Sequence, residues 1–211
     1  EGLHEKNKAS DGSFHPQPLE APRLDGAKAT WRVFTEWRAP QDEPLLTETQ
    51  AWRFEVRDES CILDLDWTLR GLMDLTFGKY AYGGIFLRMP YKGAGRALNS
   101  AGQVNQACEG QRARWVAIEM PIPGREASAQ KACSIAMLDH PQNPEHPAPW
   151  RVDGQLGLAP SRCIAGAWKL AQGEETLSRY RLLLAAGATS AESMAREWNS
   201  FSLSPCALET P

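Results

Sequence analysis

Between residues 27 and 38, apolar side chains fall at alternate positions. Ala29, Trp31, Val33 and Trp37 share one face, with Lys28, Arg32, Glu36 and Arg38 opposite. This is the period of a strand with one buried side. After the turn-like APQDEP (residues 39–44) the alternation resumes over 50–57, where Trp52, Phe54 and Val56 face away from Arg53, Glu55 and Arg57. The two segments predict an antiparallel hairpin. Residues 61–69 continue the pattern, with Cys61, Leu63, Leu65, Trp67 and Leu69 against Ile62, Asp64, Asp66 and Thr68. Further strands are expected over 83–89, 113–120, 130–138, 163–169 and 175–185.

The period changes once, near the end. Thr189 and Glu192 have the spacing of a capping box, and Met194, Ala195, Trp198 and Phe201 follow at helical intervals, so a helix is expected from 190 to about 201. Many short strands separated by Gly and Pro, with a single C-terminal helix, point to an all-β antiparallel sandwich, jelly-roll-like or galactose-mutarotase-like. Residues 1–25 are polar and carry Pro16, Pro18 and Pro22 without clear periodicity, so they are expected to be an arm. Residues 26–211 are read as one domain, a size that 211 residues allow. The glycine-rich stretch 90–112 is expected to be a long connection, and such connections are more often functional than decorative.

Composition narrows the function classes. The formal charge is −3, from 23 basic and 26 acidic residues without long blocks of one sign, which gives no basis for gripping nucleic acid or an anionic membrane. No apolar run approaches the roughly 18 residues of a membrane helix. The cysteines at 61, 108, 133, 163 and 206 are odd in number and lack CxxC spacing, which argues against a zinc ribbon or a disulfide framework. No nucleophile elbow, HExxH, phosphate loop or dinucleotide fingerprint is present, and no cofactor is assigned.

The densest candidate chemistry is MLDHPQNPEHPAPW (137–150), directly after an expected strand. Asp139, His140, Asn143 and His146 lie among four prolines that restrict the backbone, as a pre-organised binding loop would require. H-x5-H matches no standard zinc spacing. His140 is the candidate general acid-base with Asp139 beside it, because imidazole titrates near neutral pH. Trp150 either stacks on a sugar ring or anchors the loop in the core. Arg88 shares a strand face with Phe86, while Arg179 and Arg181 share one opposite Tyr180 and Leu182. Such arginines either hold a carboxylate or polyhydroxylated ligand or form a solvated outer face, with Asp64 and Asp66 as cross-strand partners.

Several of these segments resemble a family of bacterial β-sandwich proteins of uncertain function called PmoA-like. The resemblance lies in FGKYAYGGIFLRMP (77–90), NSAGQ (99–103), ARWVAIEMP (113–121), SIAMLDHPQNPEHPAPW (134–150) and GEETLSRYRLLLAAG (173–187), and spans about residues 25–190. It implies a periplasmic or secreted protein of carbohydrate-utilising bacteria, with a sandwich similar to those that bind or process sugars. Among the loop residues it singles out Asp139, His140, Asn143 and Trp150 ahead of His146. Members of that family extend further at the N-terminus with a paired-histidine motif that is not found here, so a missing N-terminal segment is expected.

The expected function is therefore carbohydrate-active. In one form, Asp139 and His140 supply acid-base chemistry while Arg88, Asn143, Arg181 and Trp150 hold a small-molecule or glycan ligand. The alternative is a non-catalytic carbohydrate-binding or structural module. A third reading, a metal-dependent oxygenase, follows the family label rather than the ligand spacing.

Overall fold

The computed structural model describes residues 11–18, 21–127 and 131–206. Residues 1–10 and 19–20 of the arm expected over 1–25 lie outside them, as do residues 128–130, with the start of the strand expected over 130–138, and residues 207–211 of the expected domain. Nine strands form one antiparallel sheet: β1 (Ser13–Pro18), β2 (Arg23–Asp25), β3 (Lys28–Arg38), β4 (Pro44–Arg57), β5 (Ser60–Gly71), β7 (Arg96–Asn99), β8 (Trp115–Pro121), β9 (Ala132–Asp139) and β13 (Glu175–Ala186). Their order is β1-β3-β4-β5-β13-β9-β8-β7, with β2 also paired to β3. Two small pairs complete the strand set, β6 (Leu75–Phe77) with β12 (Trp168–Leu170) and β10 (Trp150–Val152) with β11 (Leu158–Pro160). The chain is an all-β antiparallel sandwich with a C-terminal helix.

One face of the large sheet carries the alternating apolar residues of β5 and β13. Leu63, Leu65, Trp67 and Leu69 stand opposite Leu182, Tyr180, Ser178 and Thr176. The β10–β11 and β6–β12 pairs and the segment between β6 and β7 cover this face. They build one core around Val116, Ile118, Met137, Trp150 and Leu158, and another around Leu46, Leu69 and Leu170.

The opposite face is covered by helix α2 (Ala191–Ser202), which packs Met194, Trp198 and Phe201 against Ile62, Leu138 and Leu183. Met194 and Phe201 are almost fully buried, and each contributes roughly 1.5–3 kcal/mol. The helix starts one residue later than its sequence suggests. Ser190 is the N-cap and accepts from the Ser193 N–H at 3.1 Å, while the Ser193 hydroxyl accepts from the Ser190 N–H at 3.3 Å, in place of a Thr189–Glu192 pair.

Several expectations change. Part of the expected arm belongs to the sheet, since β1 lies along β3 from Ser13↔Arg38 to Pro18↔Val33. Residues 83–89 are not a strand; they cross over the sheet, making a single bridge between Leu87 and Leu158. Residues 163–169 divide into the one-turn helix α1 (Arg162–Ala165) and the start of β12. The long connection 90–112 contains β7 and a 3₁₀ turn at Asn105–Cys108. Among the described residues, no helix is long and apolar enough to cross a membrane.

Candidate functional site

The loop that follows β9 is held by its own polar residues. The carboxylate of Asp139, fully buried, accepts from Asn143 Nδ2 at 2.7 Å and from the Ala148 N–H at 3.0 Å, and meets His146 Nδ1 at 2.8 Å. Asn143 behaves as an added strand residue. Its Oδ1 accepts from the Arg179 N–H at 2.6 Å and its Nδ2 donates to the Arg179 carbonyl at 2.7 Å. His146 stacks on Trp198, whose Nε1 donates to the Asp139 carbonyl at 2.9 Å. The His146–Pro147 peptide is cis. Trp150 is a core residue rather than a stacking platform, fully buried with its Nε1 donating to the Ala113 carbonyl at 2.8 Å.

His140 is sealed between Arg179 and Phe201, 1% exposed, with its ring edge-on to Phe201 at 5.0 Å. Arg179 Nη1 points at His140 Nε2 from 3.0 Å and the Gln142 N–H approaches Nδ1 at 3.2 Å. A neutral imidazole accepts at only one nitrogen, so these two donors compete for it. Burial, and then the positive charge of Arg179, push the His140 pKa down to about 4. At neutral pH the ring has no proton to give from a charged state. It acts as an acceptor beneath a guanidinium rather than as the expected acid-base group.

Arg179 and Arg181 are neither solvated nor open to a ligand. In the β5–β13 register Asp66 stands opposite Arg179 and Asp64 opposite Arg181. Arg179 Nε donates to Asp66 at 3.1 Å, and Nη2 donates to the carbonyls of Ser204 and Pro205. Arg181 makes a fork to Asp64 at 2.7 and 2.9 Å. All four side chains are buried beside α2 and the residues after it. Period-two alternation cannot separate a wet face from a face of cross-strand ion pairs. These pairs hold both arginines, including Arg181, an expected ligand contact, whose Nη1 lies 3.9 Å from Glu197 without a hydrogen bond among the described residues.

Arg88 is exposed over the Phe86 ring, in an open groove that runs past Cys61, Cys133 and Leu184. Cys133 and Asp139 lie six residues apart along β9, about 20 Å at the rise of a strand. Arg88 therefore does not converge with Asp139, His140 and Arg181.

A second concavity, missed by reading the sequence, lies between the large sheet and the small strand pairs. It is a cleft of about 290 Å³. Trp37, Trp67, Leu69, Thr176, Ser178 and Tyr180 form its floor; Phe77, Trp168, Arg162, Cys163 and the Gly83–Gly84 backbone form its roof. Pro144 and Ala148, both from the proline-rich loop, close one end.

The aromatic side chains are fixed from behind. Buried Glu48 accepts from Trp37 Nε1 at 2.6 Å and from Trp67 Nε1 at 2.9 Å, and Gln50 also donates to it. Phe77 and Trp168, register partners across β6 and β12, stack at 3.9 Å. The Arg162 guanidinium lies over the Trp168 ring at 4.4 Å. Gly84 has φ +88°, and a Cβ there would meet the Trp67 ring at 3.7 Å, so glycine allows the backbone to descend to the floor. Burial raises the Tyr180 pKa, which keeps its phenol protonated.

Two buried polar atoms of the lining residues have no hydrogen-bond partner among the described residues, Arg162 Nε and Trp168 Nε1; a third, Ser161 Oγ, belongs to a fully buried residue beside the lining. Buried polar groups are normally paired, and an orphan calls for an explanation such as a bound water or ligand. The sequence did carry some signal, in eight tryptophans and the Gly83–Gly84 pair. Each tryptophan, taken alone in an alternating strand, reads as core.

Comparison with known proteins shows limited overlap. The chain is similar to the GH36 alpha-galactosidase AgaA from Geobacillus stearothermophilus, at 13% identity and a TM-score of 0.36, over 88% of this chain and 29% of that one. It is also similar to the galactosidase domain of the alpha-galactosidase-sucrose kinase AgaSK, at 13% identity and 0.33, over 87% and 29%. AgaB from Geobacillus stearothermophilus gives 13% identity and 0.29, over 88% and 29%. The chain thus spans less than a third of the length of these structures. No curated protein matches it. Residues 2–199 match the model of a protein family, and the chain belongs to that family, described as a family of unknown function (DUF6807).

Proposed function

We propose that this domain is a non-catalytic binding module that takes a single sugar ring in the cleft between Trp67 and Trp168. The observation that carries the reading is the pairing of aromatic walls with two unpaired buried polar atoms of the lining, Arg162 Nε and Trp168 Nε1. Binding sites of this kind combine apolar surface, which accepts the C–H face of a ring, with a few polar groups that fix orientation. A volume of about 290 Å³ lies at the small end of the range for ligand pockets and suits one ring.

Acid-base chemistry by Asp139 and His140 has no place in this reading. Both side chains are buried, the Asp139 carboxylate with its hydrogen bonds made and His140 beneath Arg179, and neither lines the cleft. Their contribution is to hold the loop that presents Pro144 and Ala148.

The test is a tryptophan-fluorescence titration with a panel of mono- and disaccharides, alongside Thr176→Phe. Thr176 lies on the floor in a paired strand, where an aromatic residue is well tolerated and would fill the space. Saturable quenching in the parent and its loss in a folded Thr176→Phe variant are expected. Sugar binding of equal strength in both proteins would place the ligand elsewhere.

A further inference from the structure

We infer that the sugar bound in the cleft carries a carboxylate, as a hexuronate does, and that Arg162 anchors it; this rests on the binding reading above. Among the described residues, Arg162 is the only charged side chain that lines the cleft. The buried arginines among the described residues, Arg179 and Arg181, each face an aspartate, whereas Arg162, half-buried, has no carboxylate partner among them. Its Nε is buried and unpaired. A desolvated guanidinium donor without an acceptor is costly, and the fork of Nε with a neighbouring Nη matches the two oxygens of a carboxylate.

The guanidinium is also held in place before any ligand arrives. The Trp168 ring at 4.4 Å fixes its plane, and Trp168 is itself stacked on Phe77. A pre-oriented planar fork loses little entropy on pairing. The other unpaired group of the lining, Trp168 Nε1, is a neutral donor and suits a ring hydroxyl or the ring oxygen. One cation in an otherwise uncharged, largely apolar cleft balances a single negative charge, which favours a carboxylate over a phosphate dianion.

The experiment titrates the protein with methyl glucoside and methyl galactoside, the corresponding methyl uronates, and glucose 6-phosphate. Tryptophan fluorescence and saturation-transfer NMR are the readouts, for the parent, Arg162→Gln, Arg162→Lys and Thr176→Phe. A uronate should bind at least tenfold more tightly than its neutral parent sugar. Arg162→Gln should erase that preference by weakening uronate binding at least tenfold more than neutral-sugar binding. Arg162→Lys, which keeps the charge and loses the fork, should retain only part of it.

Equal affinity for neutral and anionic sugars, unchanged in Arg162→Gln and Arg162→Lys, would overturn the inference and leave the sugar-binding reading standing. A preference for the phosphate would overturn the carboxylate assignment. The absence of any sugar signal that Thr176→Phe removes would overturn both.

Discussion

Replacing Asp139 with alanine separates a structural loop from a catalytic one. The side chain is fully buried and meets three polar partners: Asn143 Nδ2 at 2.7 Å, His146 Nδ1 at 2.8 Å and the Ala148 N–H at 3.0 Å. Hydrogen bonds to a charged acceptor contribute roughly 1.5–3 kcal/mol each, but bonds sharing one carboxylate do not add in full. Removing one member of a buried charged cluster costs about 3–5 kcal/mol, because the partners are left desolvated. That is a large share of a domain stability of roughly 5–15 kcal/mol. At about 2–4 °C per kcal/mol for a domain of this size, Tm should fall by roughly 6–20 °C. Asp139→Asn should be only partly milder, because its amide group must turn a donor toward at least one of the three partners. Urea denaturation of the parent and both variants at pH 7.5 measures the effect. A loss below about 1 kcal/mol for Asp139→Ala would show that the cluster does not hold the loop, and the assignment of Asp139 as a structural residue would fail.

Two further outcomes follow from the site. Ser161→Ala removes a buried hydroxyl that has no partner among the described residues. The protein should therefore gain about 1 kcal/mol, read as a Tm rise of roughly 2–4 °C; a drop in Tm would mean the hydroxyl is already paired. The His140 pKa, about 4 when folded against 6.5 as its ordinary value, fixes the sign of a pH effect. Between those values the unfolded chain binds the proton and the folded one resists it. Stability is then full above pH 6.5 and declines by about 3 kcal/mol as pH falls to 4. His140→Gln, which keeps an acceptor for Arg179, should flatten this component relative to the parent in urea midpoints at pH 4.5, 5.5 and 7.5. Parallel curves for the two proteins would refute it.

Elements with long, regular alternation were legible in the sequence because at least one of their faces is buried across many residues. β5 and β13 are the clearest cases, with Leu63, Leu65 and Leu69 on the side facing the small strand pairs. The same alternation misled where it was short. Residues 83–89 have the right pattern, but the segment crosses over the sheet, and only Leu87 pairs in a β-bridge, with Leu158. β7 is four residues inside a glycine-rich stretch, too brief to show a period. The expected role of Arg181 failed for a different reason. A face of alternating Asp and Arg has one sequence signature whether solvent or a helix covers it, and here α2 lies over it. The cleft was hidden because its lining comes from segments spread from Trp37 to Tyr180, brought together only by the fold.

The proline-rich loop and the cleft illustrate how satisfied and unsatisfied polar groups divide the work. Asp139 and Asn143 have the residue types of a reactive site, but Asn143 spends both of its amide donors and its carbonyl on partners inside the protein. Chemistry on a ligand would require breaking those bonds, with the desolvation cost that keeps them intact. Arg162 Nε and Trp168 Nε1 are in the opposite state, belonging to residues that line the cleft and without a hydrogen bond among the described residues. A ligand that meets them gains hydrogen bonds without displacing any made within the protein. The loop contributes through Pro144 and Ala148, whose positions depend on the Asp139 cluster behind them. The stretch with the densest candidate chemistry thus shapes a wall, while the unpaired groups sit on Arg162 and Trp168, in and beside a segment, 163–169, that alternation alone reads as an ordinary strand.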